Sequence, residues 1–435
     1  MRSADRKILS IALPAIVSNI TVPLLGLVDV AIAGHLGSAA YIGAIAVATM
    51  VFNVIYWLFG FLRMGSSGLT AQALGCRNLA AVSTILVRSL MVAFSVAAVI
   101  VVLQAPLGSV AIRATGAEGD IAASAHTYFR ICVWGAPAML GLYALTGWFI
   151  GMQNTRIPML VAIAQNVVNI AASLFFVYVL HWRVEGIASG TLVAQYAGLL
   201  IAASLWLRFY ASRMLPKVEW GSVCRKDELL RFFRVNRDIF FRTLFLVAVN
   251  FWFLSVGASQ GAVILAVNTL LMQLFTLFSY IMDGFAYAGE ALCGRLFGAG
   301  DAASLRRMVR RLFLWGGALT LVYTVAYALG GSSFLSLLTD DSSVIAASSH
   351  YFAWAVLIPV AGVAAFVWDG VFIGMTETRG MLLATASAAI VFFVVNATLG
   401  SILHNHALWL AFLLFLFTRG AVQTLVYRLT YCLKH

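Results

Sequence analysis

Charge is scarce in this sequence. Only 10% of its 435 residues are Asp, Glu, Lys or Arg, and acids are the scarcer sign, 16 against 28 basic residues. So few charged groups cannot cover a water-facing surface around a chain that is 62% hydrophobic with a mean hydropathy of +0.96, which excludes an ordinary soluble domain. Cysteine is also sparse. Cys76, Cys132, Cys224, Cys293 and Cys432 show no metal-binding or thioredoxin-type spacing, and no pair falls together on the outer side where a disulfide would persist, so free thiols are expected. The strict apolar and polar alternation of an outer-membrane barrel is missing. The first apolar run also lacks a small-residue cleavage site and continues to spanning length, so it reads as a transmembrane helix and not as a cleaved signal.

Long apolar runs fill the space that charge leaves. Windows of about 20 residues, the length that crosses a hydrocarbon core of about 30 Å, find about twelve segments. They are 8–33, 42–62, 84–104, 127–151, 157–180 and 187–207, then 239–258, 262–282, 308–330, 352–374, 381–402 and 407–427. Backbone amides in lipid must be satisfied within each segment, so the sequence predicts an all-α polytopic membrane protein with twelve transmembrane helices.

The basic residues are distributed unevenly. Arg2, Arg6 and Lys7 precede the first helix, nine from Arg208 through Arg242 crowd the sixth loop, Arg306, Arg307, Arg310 and Arg311 lie in the eighth, and Arg428 and Lys434 lie near the end. Only Arg113, Arg130 and Arg183 fall on the opposite side. This asymmetry places both termini in the cytoplasm and explains the net charge of +12 without nucleic acid as a partner.

An internal repeat organises the chain. Tyr128-Phe129, Gly147, Phe149-Ile150-Gly151-Met152 and Thr155-Arg156 recur 223 positions later as Tyr351-Phe352, Gly370, Phe372-Ile373-Gly374-Met375 and Thr378-Arg379. Self-similarity this dense at one offset marks a duplicated unit. An even helix count per repeat keeps both halves in one orientation, so the expected domains are a six-helix bundle over 1–207, a basic cytoplasmic linker over 208–236 and a second six-helix bundle over 237–435. The bundles are expected to be parallel, related by a pseudo-two-fold axis along the membrane normal, with the substrate path between them.

Polar residues at membrane depth are costly, and each is a candidate site. Asp29 lies near the outer end of the first helix, and Asn169, Ser173 and Thr191 fall in the same outer half. Together they can form a proton or cation site. An interfacial cap at Asp29 and plain helix–helix hydrogen bonding at the others are the simpler alternatives. Pro14 and Pro23 each remove an amide from the helix of Asp29, which permits either a fixed kink or a moving bend. In the second half the offset pairs Asp29 with Trp252, so its acids lie elsewhere. Asp369 is near the cytoplasmic end of the tenth helix and is either functional or interfacial. Asp283 and Glu290 read as a solvated end of the eighth helix, and Arg419 reads as snorkelling towards the cytoplasm. His404 and His406 share a short outer loop without ligand spacing, and no metal site or cofactor is expected beyond a coupling ion, H+ or Na+.

The runs Leu9-Ser10-Ile11-Ala12-Leu13-Pro14, SNITVPLLGLVDVAIAGHLG, RMGSSGLTAQALG, GWFIGMQNTRIP, NVVNI and DGFAYAGEA resemble the multidrug and toxic compound extrusion (MATE) transporters, and within them the bacterial DNA-damage-inducible subgroup often called DinF. The resemblance covers almost the whole chain. It implies two six-helix bundles around a V-shaped cleft and exchange of protons or sodium for small organic, often cationic, compounds, by a monomer in membrane lipid. It assigns Asp29 as the coupling carboxylate, Asn169 and Thr191 as its polar partners, and Pro14 as the bending point. Ser173 takes a place often held by Asp or Asn, which leans the reading towards protons, and Tyr128 and Asn19 are placed in the substrate cavity. A lipid-linked precursor flippase is the nearest rival and would need a cationic cavity. A membrane enzyme would need a metal or nucleophile constellation, and none is visible.

Overall fold

The computed structural model describes residues 2–34, 39–338 and 341–432, and every element among them is helical. In chain order these are α1 (Arg2–Gly34), α2 (Ala39–Leu58), α3 (Phe61–Gly75), α4 (Leu79–Val102), α5 (Gln104–Ala114), α6 (Gly119–Cys132), α7 (Ala136–Gly151), α8 (Arg156–Leu174) and α9 (Val184–Trp206). The short α10 (Ser212–Met214) and α11 (Trp220–Val223) follow, then α12 (Lys226–Ser259), α13 (Ala262–Gly298), α14 (Ala302–Leu338), α15 (Ser342–Met375), α16 (Thr378–Leu403) and α17 (Asn405–Tyr427). Eleven helical stretches among the described residues are long and apolar enough to cross a membrane, and the 33-residue α1 brings the number to the twelve expected from the sequence.

The chain divides into two compact units, Leu13–Asn236 and Arg237–His435 together with Met1–Ala12. In the second, the start of α1 is held by α14: Trp315 Nε1 donates to Asp5 Oδ1 at 3.2 Å and Arg311 lies 3.8 Å from Asp5. α1 is helical through both Pro14 and Pro23, although the side chain of Pro23 lies outside the described residues, as does that of Cys432. Residues 226–236 already belong to α12.

Local geometry carries the repeat well beyond the segment where sequence identity shows it. Left-handed residues occur at Arg77 and Gly300, at Gln153 and Thr376, and at His181 and His404, each pair 223 positions apart. Asn78 Oδ1 caps α4 by accepting from the Ala81 amide at 2.9 Å, and Asp301 Oδ1 does the same for α14 from Ser304 at 2.9 Å. Hydrogen bonds from Ser304 hold the Asp301 carboxyl below the usual carboxylate range. α7 and α15 both end with the 6→1 backbone bond of a Schellman turn, Asn154 to Phe149 and Glu377 to Phe372, each 2.9 Å.

Glycine sets the helix spacing at matching places. A Cβ on Gly147 would stand 2.2 Å from the Arg63 carbonyl oxygen of α3, and one on Gly370 would stand 2.3 Å from the Ala286 oxygen of α13. One turn on, Gly151 meets the Ser67 oxygen at 2.7 Å and Gly374 the Glu290 oxygen at 2.6 Å. Backbone stands in the way in each case, joined at Gly151 by the Thr70 Cβ, so moving a side chain alone does not make room. Gly370→Ala is expected to destabilise by about 1–3 kcal/mol, read as a lower melting temperature in detergent. Gly317→Ala on α14, where a Cβ meets open space, serves as the control and should melt no lower than wild type.

Candidate ion and substrate site

Asn166, Asn169 and Ser173 follow one another at helical spacing on one face of α8. Asn166 Nδ2 donates to the Thr21 carbonyl of α1 at 3.0 Å, and Asn169 Nδ2 donates to Thr191 Oγ1 of α9 at 3.1 Å. This face therefore joins α8 to α1 and to α9. Ser173 packs directly on Gly190, where a Cβ would stand 2.2 Å from its Oγ. The small residue lets two backbones approach closely, as membrane helix pairs require.

Tyr128 of α6 completes the cluster, with its hydroxyl 3.5 Å from Thr191 Oγ1 and either atom able to donate. Asp29 of α1 is buried and lies within electrostatic reach of Tyr128 and of Cys132, whose thiol donates to the Ala188 oxygen at 3.5 Å. Among the described residues Asp29 Oδ1, Asn169 Oδ1 and Ser173 Oγ are all buried without a hydrogen-bond partner. Buried polar atoms are normally satisfied, so each of these oxygens is left able to accept a further hydrogen bond. Asn19 is half-buried on α1. The structure thus joins Asn169, Thr191 and Tyr128 directly and brings Asp29 within electrostatic reach of Tyr128. Cys132, one helical turn from Tyr128, was not anticipated.

The second unit holds a different arrangement. Asp369 of α15 is buried, and both of its oxygens are engaged: Gln423 Nε2 donates to Oδ1 at 2.7 Å, while Arg419 at 2.6 Å and Arg242 both pair with Oδ2. Snorkelling at Arg419 is overturned, because its side chain is 4% exposed and its guanidinium lies 5.5 Å from the Phe415 ring centre. Arg242, counted with the loop basics, is likewise buried in α12, inside the apolar span 239–258 where its depth was a readable signal. The solvated end assigned to Glu290 also fails. α13 runs on to Gly298, a 37-residue helix about 55 Å long at 1.5 Å per residue, and Glu290 is 1% exposed within it. Asp283 is half-buried and within electrostatic reach of Arg419. His406 is on α17 and its Nδ1 accepts from Trp354 Nε1 at 3.0 Å.

These helices, with buried polar residues among them, define a multi-span membrane protein. The sequence profile of the MatE family matches residues 14–175 and again residues 239–398. The chain is similar to DNA damage-inducible protein F of Escherichia coli (strain K12), 38% identical over 433 residues that cover 98% of this chain and 93% of that protein. It is also similar to Protein DETOXIFICATION 44, chloroplastic, of Arabidopsis thaliana, 27% identical with 85% and 72% covered. A MATE crystal structure in the bent conformation shares the fold with a TM-score of 0.88 at 19% identity, covering 99% of this chain and 96% of that one. An outward-facing multidrug resistance MATE transporter gives 0.87 at 20% identity, covering 99% and 96%. The chain belongs to the MatE family of multidrug and toxin extrusion transporters, and it is a transporter and not an enzyme.

Proposed function

We propose that this protein is an efflux antiporter that exports organic, cationic or amphipathic compounds in exchange for protons, with sodium as the alternative coupling ion, by alternating access. The observation that carries the reading is the buried Asp29 oxygen without a donor, in the same unit as the Tyr128, Thr191 and Asn169 chain. Ser173 stands where the resemblance often places an Asp or Asn, so the group holds Asp29 without a second carboxylate, which leans the reading towards protons over a carboxylate-rich sodium site. Ser173, Asn169 and Thr191 share the ion site with Asp29 in this reading, Tyr128 and Asn19 face the substrate, and α1 flexes at Pro14 and Pro23. The protein works as a monomer in the bacterial inner membrane with both termini in the cytoplasm. The buried arginines do not favour the flippase reading: Arg242 and Arg419 are both engaged by Asp369 and do not form an open cationic cavity.

The test is counter-transport in proteoliposomes, with ethidium as cargo and pH and sodium gradients imposed separately. A pH gradient alone is expected to drive ethidium against its concentration gradient. Drive by sodium alone would reassign the coupling ion, and drive by neither would overturn the antiport reading.

A further inference from the structure

We propose that the segment 208–234 is an interfacial anchor that binds the phosphate headgroups of anionic glycerophospholipids. The segment is fastened along one side. Arg88 of α4, only 3% exposed, donates to the carbonyls of Val223 at 3.0 Å and Ser222 at 2.7 Å and pairs with Glu228 at 3.3 Å. The Glu219 amide donates to Thr84 Oγ1 at 3.1 Å, and Ser83 Oγ donates to Met214 Sδ at 3.4 Å. Three residues of α4 therefore hold the segment against the end of that helix, and its opposite side is left outward.

That outward side combines two kinds of group that do not suit water together. Trp220 is 68% exposed, and Phe209, Leu215 and Phe233 are exposed with it. Exposed with them are Arg208, Arg213, Lys217 and Arg234, and Arg225 and Arg231 are exposed where the segment faces α4. Over 208–234 there are seven basic residues against three acidic ones, and one of the acids, Glu228, is already paired with Arg88. A solvated charge run would not place an indole and a phenyl ring among its cations. At a bilayer surface the same mixture is stable, because Trp sits at headgroup level and Arg and Lys extend their charged ends to the phosphates. A cleft of about 290 Å³ between α3, α4 and the segment supplies a seat. Its charged lining is Arg88, Arg225 and Arg231 against Glu219 and Glu228, a net positive charge in a cavity whose wall is mixed polar and apolar. Charge complementarity selects an anionic lipid over a zwitterionic one.

The full chain in nanodiscs tests the idea, and because both faces of a nanodisc are open the result does not depend on membrane orientation. Phosphatidylcholine discs with a minority of phosphatidylglycerol would be prepared, and the lipids that remain on the protein counted by native mass spectrometry. Wild type is expected to retain phosphatidylglycerol about tenfold over its share of the disc, a preference that high salt removes. A variant carrying Arg213→Gln, Lys217→Gln, Arg225→Gln and Arg231→Gln should lose that preference while melting at the wild-type temperature in pure phosphatidylcholine, since the altered side chains are exposed. Should that variant not fold, Trp220→Gln alone is expected to reduce retention several-fold. Equal retention of phosphatidylglycerol by wild type and by the folded variant would overturn the anchor. Displacement of the lipid from wild type by a labelled oligonucleotide would overturn it too, in favour of a nucleic-acid surface.

Discussion

Asp369→Ala is expected to cost the protein about 3–5 kcal/mol of stability, the loss typical of breaking a buried ion pair by removing one partner. The size follows from what is left behind. Arg242 and Arg419 share Asp369 Oδ2, and Gln423 uses Oδ1 at 2.7 Å, so removing the carboxylate strips three donors of their acceptor at once. The Nε atoms of both arginines already lack partners among the described residues and cannot offset the loss. Two buried guanidiniums would then stand between α12, α15 and α17 without the carboxylate that pairs them. The measurement is thermal unfolding in detergent, with Asp369→Leu, Arg242→Met and Arg419→Met combined as the comparison. Because well-packed apolar residues can replace a buried charge cluster at little cost, the triple variant should recover most of the stability that Asp369→Ala loses. A single variant as stable as wild type would show that the cluster is solvated and contributes little to folding. Recovered folding without recovered transport in the triple variant would assign the cluster a role in function as well.

This cluster also shows where the sequence stops being readable. The spans were legible because lipid forces each apolar run to close its own hydrogen bonds, and hydropathy measures that requirement directly. The helix ends were not. A hydropathy window stops at the first charges, so 262–282 missed the part of α13 that carries Glu290, whose cost is met by neighbouring protein and not by water. Depth bookkeeping singled out Asn169, Thr191 and Asp29, and two of these meet in a direct hydrogen bond. Asp369, by contrast, could be marked as unusual but not paired, since its partners lie 127 and 50 positions away with no local pattern joining them. Tertiary neighbours decide whether a membrane arginine snorkels or is bound. A single sequence does not record that choice.

Asp29→Asn is expected to reduce pH-driven ethidium transport to the level of empty liposomes while leaving the protein folded. The substitution keeps the shape of the side chain and removes only its ability to change charge. Folding should not suffer, because an unpaired buried carboxylate is itself costly, and a neutral amide of the same shape costs less to bury. Coupling should fail for a separate reason. An ion can drive a conformational change only if it binds one state better than the other, and a neutral amide at position 29 binds no proton in either. Thr191→Ala separates the carboxylate from its surroundings: it removes the acceptor of Asn169 and the neighbour of Tyr128 without touching charge, and should weaken transport while preserving its dependence on pH. The readouts are melting temperature and initial transport rate at several internal and external pH values. Full pH-driven transport by a folded Asp29→Asn protein would remove Asp29 as the coupling group, and the proton would then have to be sought elsewhere.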